Sequence, residues 1–322
     1  MNNDKLWVEK YRPDSLDEVS AQSNVIQSLR SAIKTKNIPH LIFFGPSGCG
    51  KTSTIIALAK DLFGVENYAD RIIELNASDE RGINIIRDKI KKYSKQSIKK
   101  LDDAPPWKII VLDEADTMTT DSQFALRQIM EKYSNITRFC IICNYYNKII
   151  DPIISRCALF RFKPIDSNNI KIKLKYICDK ENIKCSDKIL EKIINICRGD
   201  LRKAVNLLQK SYNSYSDNIN IELLDEISGI IPQDEFNKLI EYIFNKDDKN
   251  VDIMINKFNN KGYSLVNQII LFHDYIINCD LSSYKKSEIL CKIAEIDQNL
   301  IKGCNEYIQF MNMIYFIIIT IE

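Results

Sequence analysis

Residues 40–52 read HLIFFGPSGCGKT, an apolar run that stops at a glycine-rich turn. A short apolar run bounded in this way predicts a buried parallel strand. The turn fits the pattern G-x-x-x-x-G-K-[ST], and a helical pattern follows it as far as Phe63. In such a loop backbone N–H groups surround phosphate oxygens, Lys51 reaches the terminal phosphates and the Thr52 hydroxyl can bind Mg²⁺. The stretch predicts a nucleotide-binding loop, with a chance glycine-rich loop as the alternative.

The predicted loop contributes most of the candidate nucleotide-binding residues. They are Gly45, Pro46, Ser47, Gly48, Cys49, Gly50, Lys51, Thr52 and Ser53. Ser47 and Cys49 occupy positions that the pattern leaves variable, so binding is expected to tolerate them. A cysteine beside the nucleotide predicts sensitivity to thiol reagents.

A second motif, Ile109-Ile-Val-Leu-Asp113-Glu114-Ala-Asp116, is an apolar strand pattern that ends in carboxylates. At the end of such a strand Asp113 can hold Mg²⁺, and Glu114 can polarise the water that attacks the terminal phosphate. Carboxylates at this position also serve as helix caps, which is the alternative. Taken alone the two motifs predict a nucleotide and Mg²⁺ as ligands and hydrolysis of the terminal phosphate as the reaction, which fits many nucleotide hydrolases.

Strand and helix patterns alternate over the first half of the chain. The candidate strands are His40–Phe44, Arg71–Leu75, Lys108–Leu112, Arg138–Cys143 and Ala158–Phe162, and the helices between them include a lysine-rich one from Ile85 to about Lys100. Alternation of this kind predicts an α/β domain with a mainly parallel sheet. Beyond Pro164 the patterns are helical. We therefore expect an α/β domain over residues 1–164, a helical lid over 165–228 and a helical domain over 229–322.

Composition limits the classes of protein to which the chain can belong. Its 322 residues are 45% hydrophobic and 27% charged, and 45 Lys+Arg against 43 Asp+Glu leave a net charge of +2. These values predict about two globular domains and exclude disordered and collagen-like chains. With so little net charge, any nucleic acid must be bound by a local basic patch. Residues 87–100 hold seven basic residues against one acidic, which predicts either such a patch or a solvated helix face.

The ten cysteines are spread from Cys49 to Cys304, and the charged N-terminus lacks the apolar core of a signal peptide. We expect reduced thiols inside the cell. Cys140 and Cys143 lie in an apolar run, so buried strand thiols are favoured over half of a zinc site. The apolar tract Ile314–Ile321 is shorter than the roughly 20 residues that cross a bilayer, and it predicts a buried C-terminal helix rather than a membrane contact.

The letters D-E-A-D at residues 113–116 also invite a helicase interpretation. Helicases of that name need an S-A-T motif and a second motor domain ending in H-R-x-G-R-x-x-R. Neither motif occurs in this sequence, and the second half is helical in pattern. The helicase alternative is therefore weak.

Several further blocks, in this order along the chain, resemble the small subunits of replication factor C, the sliding-clamp loader within the AAA+ ATPases. The blocks are Trp7-Val-Glu-Lys-Tyr-Arg-Pro13, the phosphate loop, Glu74-Leu-Asn-Ala-Ser-Asp-Glu-Arg-Gly-Ile83, Leu112-Asp-Glu-Ala-Asp116, Cys143-Asn144, Ser155-Arg-Cys157 and Gly199-Asp-Leu-Arg-Lys-Ala204. The resemblance implies an AAA+ P-loop domain with a parallel sheet, a small helical lid and an all-helical collar that holds the oligomer together.

The resemblance also implies roles for single residues. Val8 and Arg12 would contact the nucleotide at its adenine and phosphate ends. Asn144 would be a sensor that orients water against the terminal phosphate, and Arg202 a second sensor on the lid. Arg156 would act in trans, as an arginine finger on ATP bound to the neighbouring subunit. The plain alternatives are a strand-terminating Asn144 and a surface Arg202.

DNA contacts follow from the same resemblance. Arg81, Arg87 and Lys91 are the candidates on the basic helix, and they would meet phosphates without base preference. Arg127 is a further candidate on the next helix. The family has a second arginine beside it, where this chain has Gln128. This difference predicts weaker binding of DNA by this subunit.

The resemblance therefore implies an ATP-hydrolysing subunit of a nuclear heteropentamer of replication factor C subunits, which loads a sliding clamp, the proliferating cell nuclear antigen, onto primer–template DNA. Two alternatives stay open: a structural subunit that binds ATP with little turnover, and a homo-oligomeric AAA+ motor on branched DNA. In the last domain, an apolar stripe at helical spacing predicts either a subunit interface or a closed core. The stripe is Tyr307, Phe310, Met311, Ile314 and Ile318.

Overall fold

A computed structural model describes residues 5–19, 21–77, 83–96, 104–215 and 220–321. They fall into two compact units, Met1–Gln209 and Lys210–Glu322. The boundaries expected after residues 164 and 228 stay predictions. Within the described ranges, every helix is too short or too polar to cross a membrane.

The first unit is built on a five-stranded parallel sheet, which confirms the predicted α/β fold. The strands are β1 (His40–Phe44), β2 (Ile72–Asn76), β3 (Lys108–Asp113), β4 (Thr137–Cys143) and β5 (Cys157–Arg161). Their order is β2-β3-β4-β1-β5, so the chain crosses over a face of the sheet between neighbours. Each predicted strand end is either identical to the observed one or differs from it by one residue.

Helices cover both faces of the sheet, because alternate residues of each strand enter different cores. On β3, Ile110 and Leu112 pack into one core, while Ile109 and Val111 pack into the other. This double burial explains why the strands read as continuous apolar runs. The parallel register pairs Phe44 with Cys143. The phosphate loop and Asn144 therefore leave the sheet side by side at its carboxyl edge.

The helices of the described residues are as follows. They are α1 (Trp7–Lys10), α2 (Ser23–Thr35), α3 (Lys51–Phe63), α4 (Tyr68–Arg71), α5 (Ile83–Lys95), α6 (Thr120–Tyr133), α7 (Asp151–Ile154), α8 (Ser167–Glu181), α9 (Asp187–Cys197), α10 (Leu201–Tyr215), α11 (Ile221–Ser228), α12 (Gln233–Phe244), α13 (Asp248–Asn260), α14 (Leu265–Asn278), α15 (Ser283–Ile301) and α16 (Glu306–Ile321).

The basic helix α5 ends at Lys95, so the expectation that it continues to about Lys100 is wrong. Lys108, at the start of β3 and only 2% exposed, explains the end. Its side-chain nitrogen donates hydrogen bonds to the backbone oxygens of Tyr93 and, at 2.9 Å, Gln96. A cation on the last carbonyls of a helix satisfies acceptors that have no partner within the helix.

The second unit has its own hydrophobic core, made by helices α12 to α16. In α16, Phe310, Ile314 and Ile318 are buried in this core, and Tyr307 and Met311 pack against it. The predicted apolar stripe is thus part of a closed core, which was one of its two alternatives. Phe310, Ile314 and Ile318 are therefore not available to a subunit interface, whereas Tyr307 and Met311 remain partly exposed.

Candidate nucleotide-binding site

The phosphate loop leaves β1 at Gly45, where the backbone has little room. Gly45 has a φ of +150°, and a Cβ atom there would lie 2.3 Å from the backbone oxygen of Phe162. Gly48 has a φ of +66°, and a Cβ there would lie 1.8 Å from Oδ1 of Asp200, beside the start of lid helix α10. At Gly45 a side chain would clash with backbone, so its close neighbour requires a glycine there. At Gly48 the Asp200 side chain would have to shift, and the positive φ is what favours glycine.

Lys51 is buried at the start of α3, with 8% of its surface exposed. Its Nζ donates to the backbone oxygens of Gly45 and Pro46 at 2.7 and 2.8 Å, and to Oδ1 of Asn144 at 3.0 Å. The amine is therefore held between the loop and the end of β4. A phosphate oxygen arriving there would exchange these neutral acceptors for a charged one.

Thr52 and Asp113 join the phosphate loop to the end of β3. The Thr52 hydroxyl donates to Oδ2 of Asp113 at 2.7 Å, and Oδ1 of the same carboxylate accepts the backbone N–H of Glu114 at 2.9 Å. A hydroxyl and a carboxylate at hydrogen-bond distance are oxygen donors of the type that Mg²⁺ prefers. The residues present thus fit a magnesium site beside the nucleotide phosphates.

Glu114 has an exposed side chain and an unusual backbone conformation. Its φ of +54° lies in the left-handed region, which costs a residue other than glycine about 1 kcal/mol. The turn is stabilised by Thr117, whose hydroxyl and N–H donate to the Glu114 carbonyl at 2.7 and 3.0 Å. The strained turn presents a carboxylate in the pocket, next to the Asp113 that would hold the metal.

Asp116 is a functional candidate that sequence reasoning missed. Its Oδ2 accepts the backbone N–H groups of Asn144 and Tyr145 at 3.3 and 3.2 Å. It therefore fixes the turn that carries the predicted sensor. The signal was present, since Asp116 is the last letter of the D-E-A-D run, but its partner lies 28 positions away along the chain.

One pocket of the first unit gathers most of the predicted nucleotide-binding residues. Those that line it are Val8, Arg12, Ser47, Gly48, Cys49, Gly50, Lys51, Thr52, Ser53, Asp113, Glu114, Asn144 and Arg202. Gly45 and Pro46 contribute the carbonyls that hold Lys51. The lining also includes apolar side chains from three segments of the chain, among them Trp7, Ile177 and Val205, and we call this part the base end of the pocket. A flat, mostly apolar base fits such a wall.

Cys49 lines the pocket but is 1% exposed. Its thiol donates to the Pro46 carbonyl at 2.9 Å, and burial raises its pKa. Since the thiolate is the reactive form, a buried and protonated thiol reacts slowly. The expectation that Cys49 makes the protein sensitive to thiol reagents is therefore wrong for this conformation. Cys140 and Cys143 are buried in β4, as predicted.

Arg156 is absent from the described lining of this pocket. It lies just before β5, where Nη2 contacts Oε1 of Glu131 at 2.7 Å and Nη1 donates to the Pro152 carbonyl at 2.6 Å. The same Glu131 oxygen accepts from Nε of Arg127 at 3.1 Å, and the hydrogen bond from Arg127 is the main reason why the pKa of Glu131 is lowered. The two predicted arginines thus share one carboxylate oxygen.

The structure describes only part of the predicted DNA contacts. Arg81 and the side chain of Arg87 lie outside the described residues. Lys91 is exposed on α5, and the side chain of Arg127 on α6 is 37% exposed. Both can therefore reach a ligand in solvent.

The chain matches three family profiles that together cover most of it. They are the ATPase family associated with various cellular activities over residues 41–165, an AAA+ ATPase lid domain over 173–210, and the replication factor C C-terminal domain over 231–315. The profiles follow the order predicted for the α/β domain, the lid and the last helical domain.

Individual relatives are similar over nearly the whole chain. The chain is 43% identical to replication factor C subunit 2 of Saccharomyces cerevisiae, over 96% of its own length and 91% of that protein. It is 44% identical to the replication factor C small subunit of Archaeoglobus fulgidus, over 96% of both chains. The run Thr137–Tyr145, followed by Ile149–Pro152 and Ser155–Cys157, resembles subunit 2 of budding yeast, and the first of these matches confirms that resemblance.

Among solved structures, the Thermotoga maritima RuvB Holliday junction branch migration motor has a TM-score of 0.52 at 18% identity. That match covers 72% of this chain and 78% of RuvB. At this identity the likeness shows the fold alone.

Proposed function

Because this chain belongs to the replication factor C small subunits, a family of AAA+ ATPases, we propose that it is an ATP-hydrolysing subunit of a clamp loader. The assembled loader opens a ring-shaped sliding clamp, the proliferating cell nuclear antigen, and places it on primer–template DNA in the nucleus. One observation carries the ATPase assignment. Two hydrogen bonds, Lys51 to Asn144 and Thr52 to Asp113, join the phosphate loop to the carboxyl ends of β4 and β3.

These residues can divide the reaction between them. Thr52 and Asp113 would hold Mg²⁺, which when bound neutralises charge on the phosphates. Lys51 would exchange its carbonyl partners for the terminal phosphate. Asn144 would orient the attacking water, and Glu114 would take its proton as the oxygen attacks the terminal phosphorus. The bond from that phosphorus to the bridging oxygen would break, and ADP would leave with its electron pair.

Arg156 would complete the site of a neighbouring subunit rather than its own. This role is supported by its place outside the described lining of its own pocket and by its pairing with Glu131 on the chain surface. An arginine finger stabilises charge that develops on the phosphoryl group during transfer. The isolated chain should therefore hydrolyse ATP slowly. Arg202, which lines the pocket from the lid, would report the nucleotide state to that domain.

DNA would be bound through phosphates by the exposed cations of α5 and α6. Lys91 and Arg127 are the described candidates, with Arg81 and Arg87 as further ones from the sequence. Because each such contact releases counterions, Lys91→Ala should weaken binding to all sequences alike and lower the salt slope by about one. An unchanged salt slope would remove Lys91 from the interface.

The test of this function is ATPase activity of the chain alone and after reconstitution with other replication factor C subunits, with and without clamp and primed DNA. We expect weak activity alone, strong stimulation in the full mixture, and partial loss with Arg156→Ala. Arg30→Ala is the matched control, since Arg30 is an exposed arginine paired with Asp17 on the surface. It should leave the stimulated rate unchanged.

The two alternatives give different results in the same assay. A structural subunit would bind ATP, and Glu114→Gln in this chain would leave the rate of the complex unchanged. A homo-oligomeric motor would assemble from this chain alone and hydrolyse ATP strongly without a clamp. Either outcome would overturn the proposal.

A further inference from the structure

The wall at the base end of the pocket depends on an N-terminal segment that has little structure of its own. Residues 7–13 contribute Trp7, Val8, Tyr11, Arg12 and Pro13 to the lining, yet their regular structure is a single short helix, α1. An isolated helix of this length is unstable in water. Contacts elsewhere must therefore hold the segment in place.

Those contacts lie on the lid helices α8 and α10. Nζ of Lys10 and the hydroxyl of Tyr11 donate to the same oxygen, Oε1 of Glu181, at 2.6 and 2.5 Å. The backbone N–H of Trp7 donates to Oε1 of Gln209 at 2.9 Å. The Tyr11 ring also packs edge-on against Tyr176, with ring centres 6.1 Å apart.

Glu181 occupies a position that its own helix disfavours. It is the last residue of α8, where the partial negative charge of the helix end repels a carboxylate. Its side chain is only 17% exposed. Although burial alone would raise the pKa of Glu181, the hydrogen bonds from Lys10 and Tyr11 hold it below its ordinary value. The N-terminal segment therefore supplies the two hydrogen-bond donors that stabilise the ionised carboxylate of Glu181.

The same helix also lines the pocket. Ile177, one turn before Glu181, contributes to the apolar wall together with the N-terminal segment. We propose that Glu181 is a positioning residue for the base of the bound nucleotide, because it fixes residues 7–13 against α8 and so completes the wall that the base contacts. This inference rests on the proposed ATP binding. It adds a residue that is absent from the described lining of the pocket.

The test compares two ligands that differ only in the part that meets this wall. ATP uses both ends of the pocket, whereas inorganic tripolyphosphate uses only the phosphate end. Both can be measured on the full-length isolated chain by displacement of a fluorescent ATP analogue. We expect Glu181→Ala to raise the Kd of ATP about tenfold and to leave that of tripolyphosphate unchanged. Glu181→Gln should be intermediate, because its amide oxygen still accepts both hydrogen bonds without the charge.

Controls separate this inference from a general loss of structure and from failure of the proposed function. Glu191 is a lid carboxylate paired with Lys171 on the surface, so Glu191→Ala should bind both ligands normally. Lys51→Ala should weaken both ligands, and if it weakens neither, the proposed ATP site fails. If Lys51→Ala acts as expected but Glu181→Ala weakens neither ligand, or weakens both equally, the role of Glu181 is overturned. Should Glu181→Ala not fold, Tyr11→Phe and Lys10→Met, which remove the donors, must show the same selectivity for ATP.

Discussion

The two ends of the nucleotide pocket are built in different ways. At the phosphate end, Lys51 is bonded to two carbonyls of its own loop and to one side chain at a neighbouring strand end. At the base end, the hydrogen bond from Trp7 to Gln209 joins residues 202 positions apart. The phosphate end is thus mostly a local structure supported by the sheet. The base end exists only after the N-terminal segment and the lid have met.

This difference implies that substitutions at the phosphate end act on chemistry and on every phosphate ligand. Substitutions at the base end should act on affinity for the complete nucleotide. The following predictions test that division.

Glu114→Gln should have the largest effect. In the reconstituted complex we expect this subunit's turnover to fall about 100-fold or more, because an amide cannot accept the proton of the attacking water. Affinity for ATP should remain normal, since the substitution preserves shape. Single-turnover hydrolysis and nucleotide binding measure the two quantities. Glu66→Gln, at an exposed position in the same unit, is the matched control, and normal turnover with Glu114→Gln would exclude Glu114 as the base.

Lys51→Ala should lower affinity about 100-fold for ATP and tripolyphosphate alike, because it removes a charge-assisted contact to the terminal phosphate. Equilibrium binding of both ligands is the measurement. A loss confined to ATP would contradict the division between the two ends.

Gly45→Ala should destabilise the first unit by about 2 kcal/mol. The added methyl group would lie 2.3 Å from the Phe162 carbonyl, and that carbonyl belongs to backbone that cannot easily move. Urea unfolding measures the effect. The exposed glycine Gly64 of the same unit, which has a φ of +79° and where a Cβ meets no atom within 4 Å, is the control for the cost of a positive φ alone. Equal losses at both positions would show that the close contact is unimportant.

The smallest effect concerns His40, which starts β1 and lies at the opposite end of that strand from the phosphate loop. Burial and then the charge of Arg138 lower its pKa from 6.5 to about 4, and Nδ1 accepts the N–H of Phe139 at 3.1 Å. The unfolded chain therefore binds the proton more readily. Stability should be complete above pH 6.5 and decrease as the pH falls towards 4, by about 1 kcal/mol between pH 7 and pH 5 after screening of the partly exposed ring.

The measurement for His40 is the urea midpoint at pH 7 and pH 5. His40→Asn should flatten this dependence, because its amide oxygen can accept the same hydrogen bond without titrating. An unchanged slope in the variant would assign the pH dependence to other groups.

Most of the sheet and half of the site could be predicted from sequence. Each strand of the buried sheet is a short apolar run, and the phosphate loop and the Asp113-Glu114 pair follow two of them directly. The end of α5 was misplaced, because the cation that caps it, Lys108, comes from β3. Asp116 was missed for a similar reason, because its carboxylate accepts hydrogen bonds from backbone N–H groups just after β4, far away along the chain.

The amino-acid sequence was therefore sufficient for features whose cause is local: strand periodicity, the glycines of the phosphate loop and the carboxylates at a strand end. Three features required the folded chain, namely the anchoring of residues 7–13 by Glu181, the support of Asn144 by Asp116, and the sharing of Glu131 by Arg127 and Arg156. Each depends on a contact between groups on different elements; at Glu131 this is the contact with Arg156, since Arg127 and Glu131 are an i,i+4 pair on α6. Sequence periodicity and spacing indicate which face of an element is buried. They do not indicate which polar group from a distant part of the chain will contact that element.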